Sequence, residues 1–214
     1  MSDEQDRNHQ KRSEATRSKL IAAGLETFAA RGFEGATTRA IAQKAQVALA
    51  SLPYHFRTKE ALWKAAANDI FGRFAERMAR ARAESKDLGS REQTRFMLSE
   101  YVRFTAEHPE MLQIVFQEGI SPNARTNWLV EEHIRPNFEY VKSETTRAAD
   151  NGYGRSGRAE HLYYMMIGSA ALPYVVANEF ECLTGRSSTD PDLIDAHVDA
   201  MLDLFYPPAE KPED

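Results

Sequence analysis

The side chains best suited to chemistry are concentrated between Thr37 and Lys59. Thr37, Thr38 and Arg39 stand together, and "SLPYHFRTKEAL" from Ser51 to Leu62 adds Tyr54, His55 and Lys59. These are hydroxyl, phenol, imidazole, guanidinium and ammonium groups, which donate hydrogen bonds or carry positive charge. Such a set suits gripping phosphates better than making or breaking bonds. Elsewhere the reactive types are scattered. Glu118, Glu132, His133 and His161 lack a dense ligand spacing such as H-x-x-x-H, so no metal site is expected. Cys182 is the single cysteine; it allows no internal disulfide and reads as a buried or inert thiol. "GYGRSG", Gly152 to Gly157, matches G-x-G-x-x-G, but the polar helical segment "KSETTRAADN" precedes it where a strand would be required. Those glycines read as a helix end and a turn. With no nucleophile–base arrangement, metal motif or cofactor loop, neither an enzyme nor a cofactor is expected.

Charge divides the chain. The net charge over all 214 residues is −5, yet Arg7 to Lys64 holds eleven Lys/Arg against four Asp/Glu, a net of +7. From Ala65 onward sixteen stand against twenty-five, a net of −9. A basic first third joined to an acidic remainder implies two domains with different partners. The polar start "MSDEQDRNHQKR" offers no secretory signal, and no stretch has the ~18 apolar residues of a membrane span. The expected setting is cytoplasmic, with no membrane partner.

The elements that position these residues are helical. Ile21, Leu25 and Phe28 stand at i, i+4, i+7 and predict a first helix from about residue 13. Gly32 can close it in a left-handed conformation, with Phe33 folding back on the apolar face. Thr37 or Thr38 caps a short second helix whose inner stripe is Ile41, Ala42 and Ala45. Leu52 and Phe56 mark a short third element, and a long fourth helix opens near Thr58 and reaches about Glu84. Further helices are predicted from about Ser90 to His108, onward to about Glu118, from Asn127 to Asp150 with a kink at Pro136, from Gly157 to Phe180, and from Pro191 to Tyr206. The fold class is all-α.

Three N-terminal helices, two of them short and joined by a tight turn, form the plan of a helix-turn-helix. There the N-terminus of the second helix and the seam between third and fourth meet the phosphate backbone, while residues 49 to 54 face the base edges. The stretch "TRSKLIAAGLETFAARGFEGATTRAIAQKAQVALASLPYHFRTKEALWKA" resembles the DNA-binding domain of the tetracycline-repressor (TetR) family. The resemblance is carried by Phe28-Ala29, Arg31-Gly32-Phe33, Thr37-Thr38, Ile41-Ala42, Ala45, Val47, Leu52, His55-Phe56 and Lys59-Glu60-Ala61-Leu62. Expected DNA contacts are Thr37, Thr38, Arg39, Leu49, Ala50, Ser51, Tyr54, His55 and Lys59. Three positions depart from the family's pattern. Gln46 stands where the turn usually has glycine, Ala48 replaces a capping Ser or Thr, and Pro53 displaces the usual tyrosine by one place to Tyr54. Proline has no amide for the carbonyl of Leu49, so the recognition helix is expected to be short or kinked there, with Tyr54 re-aimed.

The resemblance implies a layout for the whole chain. An arm at 1–12 is expected to be disordered, and 13–60 to form the helix-turn-helix domain. A long fourth helix joins it to a helical effector-binding and dimerisation domain at 61–207, followed by a flexible tail at 208–214. The last two helices would pair two subunits through Leu162, Ser169, Val176, Ile194, Val198, Met201 and Phe205, with His197 at the interface edge. Phe96, Tyr101, Phe104, Phe116, Trp128, Phe138, Tyr163, Met166 and Tyr174 are candidates to line a pocket for an apolar or aromatic effector. The function implied is a homodimeric, ligand-responsive repressor on a near-palindromic double-stranded DNA operator, released by a small molecule. A constitutive or architectural DNA-binding protein without effector is the alternative.

Overall fold

A computed structural model describes residues 2–120 and 122–207. Among the described residues there are helices and turns and no strand. The expected tail at 208–214 lies outside them. The chain divides into two compact units, Met1–Gly72 with Gln113–Pro122, and Arg73–Leu112 with Asn123–Asp214. This division differs from the expected boundary near residue 60, for reasons of packing. The early turns of the fourth helix bury Leu62, Trp63, Ala66, Ala67 and Ile70. Gln117, far along the chain, donates its amide to the carbonyl of Ala29.

The first unit begins with α1 (Ser2–Gly35). The helix starts at Ser2 where a disordered arm was expected. Neither glycine nor proline occurs between residues 2 and 23, so a helix once nucleated propagates at little cost per residue. It loses its helical course at Gly32, with φ 68° and ψ 172°. The positive φ favours glycine here, and a Cβ would stand 2.7 Å from Oε1 of Gln117, which would have to move. Phe33 then folds back as expected and stacks on Phe28 at 5.9 Å, edge-on to Trp63 at 6.5 Å. α2 (Thr38–Lys44) follows, then a 3₁₀ turn (Leu49–Ser51), α3 (Leu52–His55) and α4 (Lys59–Glu84). Leu20, Leu25, Phe28, Ile41, Leu52, Phe56 and Leu62 close the core of this unit.

The second unit is built from longer helices. α5 (Ser90–Glu107) packs on α9 (Ala159–Val175) and α11 (Pro191–Phe205), and α8 (Arg135–Asp150) packs on α9. Between α5 and α8 come α6 (Glu110–Gly119), whose later residues belong to the first unit, and α7 (Ala124–Leu129). The helix expected over 127–150 is interrupted by a π turn at Val130–Ile134. Pro136, in the first turn of α8, cannot donate to the carbonyl of Glu132, and the widened turn absorbs the missing bond. Likewise the helix expected over 157–180 breaks at Val176 (φ −106°, ψ 40°), one turn after Pro173, and α10 (Ala177–Thr184) follows. The "GYGRSG" loop joins two helices, with Gly152 at φ 72° just past α8.

Candidate nucleic-acid interface

α2 carries the best-defined anchor. Thr37 caps it: its Oγ1 accepts from the amide of Ala40 at 3.1 Å, satisfying one of the helix's unpaired N-terminal donors at the positive end of its dipole. Thr37 and Arg39 are exposed and Thr38 is half-buried. α2 ends in a two-bond cap, with Val47 N–H donating to Ala42 O at 3.0 Å and Gln46 N–H to Gln43 O at 3.1 Å. Gln46 takes the left-handed conformation, φ 56°, that this cap requires and that glycine would adopt without strain.

The proline does what its chemistry dictates. The carbonyl of Leu49 would normally receive the amide of residue 53; it receives that of Leu52 instead, giving a 3₁₀ turn. The chain then starts a fresh α turn with Pro53 in its first positions, where no amide is needed. Ala48 makes no side-chain cap. The recognition segment is therefore short and broken, as expected. Leu49 is 43% exposed and Tyr54 74% exposed, with Ala50 also open. Ser51 and His55 are half-buried, and His55 meets the Tyr54 ring edge-on at 5.0 Å.

Lys59 is placed differently from the other cations. Its Nζ donates to the carbonyls of Phe33 at 2.9 Å and Ala36 at 3.2 Å, and sits 4.3 Å from the Phe33 ring centroid. Two of its three donors are thus held inside the unit. Beside it, Thr58 caps α4 by accepting from Ala61 N–H at 3.0 Å. Two residues went unnominated from the sequence. Arg57 is exposed in the same seam, legible as one more cation there. Gln117, the carbonyl-holding residue of α6, gives no local signal, since only the fold brings it to residue 29.

In the second unit the nominated residues sort by burial. Tyr101, Phe104, Tyr163, Met166 and Tyr174 are buried, with Tyr101 and Phe104 edge-on to Phe74 at 5.8 and 5.3 Å. Burial pushes the Tyr101 phenol well above its ordinary range and that of Tyr174 up to about 12. Phe138, half-buried, meets Tyr163 at 5.0 Å, and Trp128 meets His133 at 5.3 Å. Phe96 lines an open groove of about 510 Å³ with Leu88, Arg91, Glu92, Arg95, Ser99 and Leu202. Phe116 belongs to the first unit, apart from the set it was grouped with. Of the dimerisation stripe, Leu162, Val198, Met201 and Phe205 are buried within the unit's own core, where α5, α9 and α11 pack on one another. Ser169, Val176 and Ile194 are half-buried. The open apolar face of α9 is instead Tyr164, Met165 and Leu172, at 73%, 54% and 54% exposure, and that of α11 includes Leu204 at 46%. His197 is half-buried, its ring 5.7 Å from Tyr174; burial lowers its pKa, partly countered by the carbonyls of Ser169 and Ala170.

Cys182 is exposed on α10, so of the expected buried or inert thiol the burial does not hold. Among the described residues no group of three or more His, Cys, Asp or Glu could hold a metal ion. No described helix is long and apolar enough to cross a membrane.

A capped short helix, a broken reading segment and a long following helix, packed in this order, define a helix-turn-helix protein. Residues 20–66 match the family profile "Bacterial regulatory proteins, tetR family". Over this segment the chain is similar to the DNA-binding part of that family. It is 22% identical over 104 residues to the "Probable HTH-type transcriptional regulator YttP" of Bacillus subtilis (strain 168), covering 49% of this chain and 50% of that protein. The chain thus spans about half the length of this curated relative. Among solved structures, AibR in complex with isovaleryl coenzyme A and operator DNA aligns over 90% of this chain and 99% of its own, with TM-score 0.72 and 16% identity. HlyIIR, a hemolysin II transcriptional regulator, covers 88% and 97% with TM-score 0.59 and 21% identity. Both are similar in fold.

Proposed function

We propose that the chain is a ligand-responsive repressor that binds a near-palindromic operator as a homodimer and is released by a small apolar or aromatic molecule. The observation that carries this reading is the open surface of the first unit. Leu49 and Ala50 stand exposed on a turn packed against α2, and Tyr54 stands exposed on α3 directly after it. The capped N-terminus of α2 beside them presents Thr37, Thr38 and Arg39 to phosphates. His55 and Ser51 complete the contact set. Few hydrogen-bonding groups reach base edges from Leu49 and Ala50, so affinity is dominated by phosphates.

The second unit, built on α5, α8, α9 and α11, serves as the effector and dimerisation domain. The open faces of α9 and α11 supply the homodimer contact, since exposed apolar faces on neighbouring helices mark interaction sites. The aromatic content of the second unit supports an apolar effector. The complex of AibR with isovaleryl coenzyme A supports a short acyl chain as one member of that class. A DNA-bound regulator of this kind works in the cytoplasm.

The experiment is binding of the purified protein to DNA from its own upstream region across a salt series. Tight, saturable binding should weaken steeply, with a slope of about 0.9 per neutralised phosphate in log K against log salt. An effector should then weaken that complex several-fold to a hundredfold, the range of a ~1–3 kcal/mol coupling. Weak binding indifferent to sequence would refute the operator reading. A second reading, a constitutive DNA-binding protein, draws on the burial of Tyr101, Phe104, Tyr163, Met166 and Tyr174 in the core. It requires that no apolar small molecule change the affinity.

A further inference from the structure

We propose that Lys59 is a positioning residue of the DNA-binding surface and not a phosphate contact: its ammonium locks the corner between α1 and α2 and so aims the first turn of α2. This role rests on the DNA-binding reading above.

The geometry is local to the first unit. α1 leaves its helical course at Gly32, and the stretch beyond it to Gly35 holds no basic residue of its own. Carbonyls at a helix C-terminus attract a cation, and Lys59 supplies it from across the fold. Its bonds to Phe33 O at 2.9 Å and Ala36 O at 3.2 Å straddle the corner, and the Phe33 ring at 4.3 Å covers the ammonium. The Ala36 carbonyl belongs to the peptide unit that enters Thr37, the cap of α2. Holding that peptide fixes where the capped amides and Arg39 point. A lysine in the first turn of α4 stands at the wrong end of that helix for its dipole, so helix electrostatics do not explain its position, whereas the two carbonyls do. Arg39, by contrast, is exposed.

The test compares Lys59→Met with Arg39→Met on a duplex enriched from a random pool by the wild-type protein. For a positioning role, Lys59→Met loses about tenfold or more in affinity while the slope of log K against log salt is unchanged. Arg39→Met should reduce that slope by about 0.9 as one phosphate contact is lost. In the DNA-free Lys59→Met protein, amide hydrogen exchange over residues 36–42 should accelerate while the rest of the unit stays protected. A slope reduced by about 0.9 in Lys59→Met, with exchange unchanged, overturns the proposal in favour of a phosphate contact. Unchanged affinity in a folded Lys59→Met protein overturns it as well. Should that variant not fold, the wild type serves: the Lys59 ammonium resonance should be visible in free protein and stay in place when DNA is added. A shift on adding DNA refutes the clamp. If the wild type enriches no duplex, the DNA-binding reading itself falls, while the exchange data still report separately on the corner.

Discussion

In the first unit, polar side chains fix short pieces of backbone: Thr37 and Thr58 cap helices, while Lys59 and Gln117 hold carbonyls near the end of α1. In the second, long helices meet through apolar side chains such as Met97, Leu98, Val102, Ile167 and Met201. Of its ion pairs, Arg103–Asp195 at 2.7 Å lies toward the surface, where such pairs contribute little, while Arg77–Glu100 at 2.5 Å is partly buried. The contrast follows from element length. Helices of four and seven residues cannot bury enough surface to hold themselves, so caps and carbonyl clamps must specify their geometry. Helices of fifteen to eighteen residues are secured by packing, and their polar groups are freer to vary.

The sharpest way to break this comparison lies in the second unit. Met201→Ala should cost about 3 kcal/mol, as for a buried methionine truncated to leave a cavity. Met165→Ala, on the open face of the neighbouring helix, should leave subunit stability within about 0.5 kcal/mol yet weaken self-association. Urea denaturation and sedimentation of both variants check this. A reversed outcome would mean that the buried stripe, and not the open face, pairs the subunits.

In the first unit, Gly32→Ala should cost about 2 kcal/mol, because alanine must adopt a backbone conformation nearly reserved for glycine and displace Gln117. Urea denaturation of this unit is the measurement, and an unaffected midpoint would show that the corner tolerates a different backbone. Gln46→Gly should act in the opposite direction. Relief of the left-handed strain exceeds the added unfolded-chain entropy by up to about 1 kcal/mol, read as a rise in melting temperature.

The smallest expected effect concerns His197. Burial holds its folded pKa below the ordinary value of 6.5. The unfolded chain therefore binds the proton more readily, and the fold loses stability as pH falls through that value. Stability above the ordinary pKa is unaffected. His197→Gln should flatten the acid side of the melting-temperature profile; an unchanged profile would assign the acid sensitivity to other groups.

The helix-turn-helix was legible in the sequence because its signals are local. A capping threonine, a glycine at a helix end, a phenylalanine folding back and a proline without an amide each act within a few residues, and each appears where expected. The register of the long helices was legible too, since apolar spacing reports which residues share a face. Which face meets which neighbour was not. The spacing of Val198, Met201 and Phe205 suits a subunit interface, yet they are buried in the unit's own core, whereas Tyr164, Met165 and Leu172 are open. The break after Pro173 and the π turn before Pro136 were only partly readable, since a proline can kink a helix or end it according to what packs beside it.

The sequence by itself determined the all-α class, the order of the elements, the short broken reading segment and the basic character of the first third. These depend on backbone chemistry and composition, which neighbours in the chain decide. Tertiary structure alone decided that Lys59 turns inward to two carbonyls, that Gln117 reaches residue 29, and which stripe of α9 and α11 is core. Each of those depends on groups far apart in the chain meeting at hydrogen-bond or van der Waals distance, and no local pattern encodes that meeting.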